Sequence, residues 1–158
     1  MNPVTIIGSY LFWSTVAGSF GAAAMVLVLW GFTQSGLAKV RLLIALGSLI
    51  TRSYDKAILV GGFVHAAAGV FFGLCYTYVM VAVGHPGVGS NMLLGAVIGM
   101  LHGLVMALVL VGSVAEVHPL PEFQQRGYII ALSHWVGHVA YGITVGFIIG
   151  MSGLIGMS

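Results

Sequence analysis

The stretch Ser133–Gly150, SHWVGHVAYGITVGFIIG, sets His134, His138, Gly142, Gly146 and Gly150 four residues apart. On an α-helix, residues at i and i+4 lie one above the other on a single face. One stripe of this helix is therefore two imidazoles followed by three glycines. Glycine ridges let helices in lipid pack backbone to backbone. The reading predicts that this stripe, histidines included, faces a neighbouring helix.

The rest of the chain carries the same signal. Of 158 residues, 59% are hydrophobic and 5% are charged, with a mean hydropathy of +1.11. Soluble domains carry about 25% charged residues. The apolar runs are long and continuous, which indicates membrane helices rather than the short alternating segments of a barrel. The expectation is an all-α membrane protein, a single four-transmembrane-helix bundle filling residues 1–158 with the lipid bilayer as solvent. A net charge of +2 and the absence of a basic patch with interleaved aromatics exclude a nucleic-acid partner. Cys75 is the single cysteine and says nothing of redox compartment. The start MNPVTIIGSY lacks the basic region of a cleavable signal peptide, and Asn2-Pro3 reads as a helix cap and first helical residue.

The spans are expected at about 4–33, 57–83, 91–115 and 128–149. Trp13 and Trp30 read as interface anchors of the first. Gly61, His65, Gly69 and Gly73 repeat the spacing of four in the second span, and Gly95, Gly99 and Gly103 do so in the third, with His102 on the shoulder of that ridge. Between the first two spans, residues 38–52 read as a short interfacial amphipathic helix. Its apolar face is Leu42, Leu43, Leu46, Leu49 and Ile50, and Arg41, Ala45, Ser48 and Arg52 form the opposite stripe.

All eight Lys, Arg, Asp and Glu residues lie in the first or third connection. Alternate connections share a side only if two spans separate them, so the charge map supports four spans independently of hydropathy. Four of the five basic residues lie in the first connection, which predicts that loops 34–56 and 116–127 are cytoplasmic and both termini outside.

At about 1.5 Å per helical residue, His65 lies roughly 12 Å into span two, and His134 and His138 roughly 10 and 16 Å into span four. By the same rise His102 lies roughly 16 Å from the outer end of span three. Imidazoles from three helices thus fall in one layer. His-x-x-x-His suits chelation from one helix face, and imidazole ligates copper, iron, zinc and haem iron. Met106, one turn beyond His102, would add a thioether. The cofactor expected is haem b or a transition metal (Cu, Fe, Zn) at His65, His102, His134 and His138. Against this stands plain packing, each ring hydrogen-bonding a neighbour such as Tyr76, Ser133, Tyr141 or Thr144. Glu116-Val117-His118 is read as a solvated helix end, with a second metal-binding or hydrogen-bonding cluster as the alternative. His85 is read as exposed. No nucleophile triad, phosphate loop or carboxylate pair is present, so a self-sufficient enzyme is disfavoured.

With its surface segment after span one and its His-Pro connection after span three, the chain resembles small uncharacterised four-span proteins of the bacterial inner membrane. The resemblance covers the outline of the chain and implies a plasma-membrane location but no activity. The function expected is a small accessory or cofactor-binding subunit. The alternatives are a structural subunit of a larger membrane complex, or a small transporter or channel for protons, metal ions or a small solute. Glycine stripes in excess of one core's needs point to a homo-oligomer or a protein partner.

Overall fold

The computed structural model describes residues 2–124 and 127–157. Among them every regular element is helical: α1 (Pro3–Gln34), α2 (Leu42–Thr51), α3 (Ala57–Val83), α4 (Val88–Val109), a π-helical turn (Leu110–Val114) running into α5 (Ala115–Val117), and α6 (Tyr128–Ser152). Four helices are long and apolar enough to cross a membrane: α1, α3, α6 and the continuous Val88–Val117 rod. Local chemistry sets their ends. Asn2 caps α1 by accepting the Val4 N–H at 3.0 Å, and Pro3 opens the first turn without a donor to lose. Gly84 ends α3 at φ 69°, a left-handed conformation in which glycine meets no Cβ penalty.

The four long helices form an incomplete ring. α4 packs most extensively on α6, α6 on α1, and α1 on α3, but α3 and α4 barely touch. The glycine ridges make the closed contacts. A Cβ on Gly95 or on Gly142 would run into the other's carbonyl oxygen, and Gly146 and Gly99 sit as tightly on Asn91 and His138. Gly69 and Gly73 meet Gly18, Ser14 and Ala22 of α1 in the same way. From His138 to Gly150, the stripe read from Ser133–Gly150 faces α4.

Both charged connections lie at one end. Arg41 pairs with Glu122 at 3.3 Å, and the Nε2–H of His118 donates to the Ala45 carbonyl at 3.0 Å. That is the arrangement the charge map requires. Arg126, counted with the third connection, lies outside the described residues.

The amphipathic reading of α2 is corrected at one position: Ser48 of the expected polar stripe is turned inward, while Arg41 and Arg52 of the same stripe are exposed. Ser48 is fully buried while Ile50 is 60% exposed. Gly47 brings the α2 backbone against Ala57 and Gly61 of α3, in a contact with no room for a side chain. The Ser48 hydroxyl needs no water, because it donates to Ile44 O at 2.6 Å. Trp13, expected as an interface anchor, lies ten residues into α1 and packs against the core. The ridge glycines of α3, α4 and α6 all make close contacts within the chain.

Candidate functional site

The open seam between α3 and α4 holds a cavity of about 240 Å³. α1 and α6 back it, α2 closes one end through Leu42, Leu46 and Leu49, and the π-helical turn contributes Leu110 and Val114. His65, His102, His134 and His138 all line it, and so does Met106. The single layer read from helical rise is thus one place in the fold.

Hydrogen bonding decides what three of these rings present. The His134 Nδ1–H donates to Ile130 O at 2.9 Å, and the His138 Nδ1–H to His134 O at 2.8 Å, each to its own helix one turn back. The His65 Nε2–H donates across to Ala22 O of α1 at 3.1 Å. A carbonyl oxygen only accepts, so each proton's place is set. In the neutral ring the other nitrogen is a lone pair: Nε2 of His134 and His138, and Nδ1 of His65. None of the three is sealed off without a partner, as buried orphan atoms would be. A backbone carbonyl holding one imidazole nitrogen while the other stays free is the arrangement that orients histidine ligands.

His102 differs. Its Nδ1 lies 3.0 Å from the Tyr76 hydroxyl. Its Nε2 is buried with no partner. The ring stacks on Phe72 at 4.2 Å between centroids and meets His138 edge-on at 4.7 Å. Leaving a buried polar nitrogen unpaired costs about 1–3 kcal/mol. It is the one imidazole nitrogen among the described residues in that state. Of the neighbours proposed for the histidines, only Tyr76 serves. Tyr141 donates to Gly69 O at 2.7 Å, and Ser133 and Thr144 bond carbonyls of their own helix.

Among the described residues, no three His, Cys, Asp or Glu side chains stand close enough together to hold one metal ion. The four rings share a wall, and only the His102–His138 pair is in ring contact. The cavity volume also falls below the roughly 300–1,000 Å³ of pockets that enclose drug-sized ligands, so a haem would require α3 and α4 to part.

His118 is not a solvated helix end. It is 2% exposed. Besides its bond to Ala45, its Nδ1 accepts the Leu120 N–H at 3.1 Å, so both nitrogens are engaged in joining α2 to the third connection. His85 is exposed, as expected. What the sequence did not reveal is α2 as a cavity wall and Phe72 as the face on which His102 rests. The one available signal was Gly47, a small residue opposite a glycine-rich start of α3.

Comparison of the chain with family models, with curated proteins and with solved structures gives no match.

Proposed function

We propose that the protein is a four-span integral membrane subunit, of bacterial plasma-membrane type, whose histidine cavity binds a transition-metal ion. Its polarity is inverted relative to a soluble bundle. Ser14, Ser48, Thr77, Asn91 and Ser133 are buried, while Leu59, Phe63, Tyr78 and Leu93 are each more than two-thirds exposed. Such a surface suits hydrocarbon and would aggregate in water. The basic first connection supports a cytoplasmic side for that end, with both termini outside.

The observation that carries the metal reading is the set of three lone-pair nitrogens on one cavity, each fixed by a carbonyl on the opposite side of its ring. A cavity offering acceptors and no carboxylate takes a Lewis acid, and imidazole with a nearby thioether favours copper over harder ions. The cavity volume favours an ion over haem b. Among the described residues no three His, Cys, Asp or Glu side chains stand together, so this reading gives the ion at most two imidazoles, with Met106 on the wall of the same cavity. Such a site suits a cofactor or cargo that must also leave.

Metal analysis and an absorption spectrum of the purified protein test this. The expected result is stoichiometric metal without a Soret band, lost in His138→Ala and kept in His85→Ala. A Soret band would replace the ion with haem. Absence of metal after incubation with copper(I), zinc and iron(II) would leave the histidines as packing residues and the protein as a structural subunit.

A further inference from the structure

A second, smaller cavity of about 60 Å³ lies at the charged end of the molecule, walled in part by Lys39, Arg41, His118 and Glu122. Its volume has room for a few water molecules. Its inner wall is also the outer wall of the histidine cavity: Leu42, Ala45, Leu110, Val114 and His134 line both. Two of the five, Leu110 and Val114, belong to the π-helical turn that interrupts the rod from Val88 to Val117. Turns of this type occur mostly as single-turn bulges inside α-helices, frequently at functional sites. Within the shared wall His134 is the only side chain with an ionisable ring, its Nδ1 held by Ile130 O and its Nε2 free.

We infer that the smaller cavity is the aqueous vestibule of the histidine cavity. A water-sized cation passes from the charged end, between His134 and the π-helical turn, to His138 and His65. The charged lining of the vestibule is Lys39, Arg41 and Glu122: Arg41 pairs with Glu122 at 3.3 Å, and Lys39 adds a second positive charge that an entering cation must pass. His134 supplies the first lone pair on the inward path. Leu110 and Val114 are the apolar constriction. The competing entrance is the seam between α3 and α4, which would admit solutes from the lipid side.

Silver ion, a small thiol-reactive cation, tests the route without relying on the identity of any bound metal. Cys75 is exposed and is first replaced by Ser. In that background Ala68→Cys puts a thiol on the histidine cavity and not on the vestibule. In vesicles, silver added on the side of the charged connections should protect this thiol from later maleimide labelling. Val114→Trp should slow protection at least tenfold, and Leu110→Phe, a milder obstruction, should slow it as well. Each variant is first checked for parental melting behaviour, and the milder one carries the test if the larger fails to fold. Equal protection from the opposite side, or rates unchanged by the obstructing variant that folds, would overturn the vestibule and assign entry to the seam. A metal-free protein with the expected thiol kinetics would keep the route and remove only the metal reading.

Discussion

The α4–α6 contact and the α3–α4 seam are built from similar material and end differently. Both bring a glycine-spaced histidine helix towards α4. On α6, the glycines following His138 meet the glycines of α4, and the two backbones close with no intervening side chain. On α3, the ridge glycines are already engaged with α1 and α2 and His65 reaches Ala22 of α1, so its α4 side presents Phe72 and Tyr76, whose rings meet His102. Large rings hold α3 and α4 apart, and the gap is the cavity. The comparison teaches that glycines spent on one side of a helix leave its other side to larger rings, and the boundary there stays open.

The largest expected effect breaks the closed side. Gly142→Leu would drive a side chain into the Gly95 carbonyl, and overpacking of this kind typically costs about 1–3 kcal/mol, and more where backbone is the obstacle. Thermal melting in detergent should show a loss of assembly or a large downward shift. The matching change on the open side, Ala68→Leu, should leave the melting temperature at or above the parent's, since it fills space. Equal damage from both would mean that the seam is as tightly closed as the α4–α6 contact.

Next is Tyr76→Phe. It removes the partner of His102 Nδ1 and leaves both nitrogens of a half-buried ring unpaired, which should destabilise by about 1–3 kcal/mol. Replacing His102 by Phe in the same background should recover part of that loss, because an apolar ring needs no partner on Phe72 and His138. No recovery would show that the polar contact is not what holds this wall of the cavity.

His118→Ala is expected to weaken the docking of α2 on the third connection by a similar or slightly smaller amount, leaving the contacts among the four long helices untouched. Its distinguishing sign is faster proteolysis within residues 38–56 at unchanged bundle stability. Protection of that segment in the variant would mean that the Gly47–Gly61 contact suffices to dock α2.

The smallest effect belongs to Arg41→Ala. The pair with Glu122 is well exposed, so its loss should change stability by about 0–1 kcal/mol and be masked by salt. Its geometry still makes a sharp topological statement. Cysteines at 39 and 122 should label from the same side of a vesicle, and labelling from opposite sides would break the four-span arrangement.

The four long helices were legible in the chain because each rests on local information. Helix length follows from apolar runs, ends follow from Asn2-Pro3 and Gly84, and the charge map set both charged connections at one end, where Arg41 meets Glu122. The common depth of His65, His102, His134 and His138 was legible too, because helical rise is constant. Their rotation about the helix axes was legible only where glycines marked a face, as on α6. Tertiary structure alone decided that α3 and α4 stay apart, that α2 turns Ser48 inward, and that His102 takes Tyr76 while Tyr141 takes Gly69. Each of those depends on which of several equivalent ridges pairs with which. That choice is settled by close packing summed over whole helix faces, a quantity no single stretch of sequence contains.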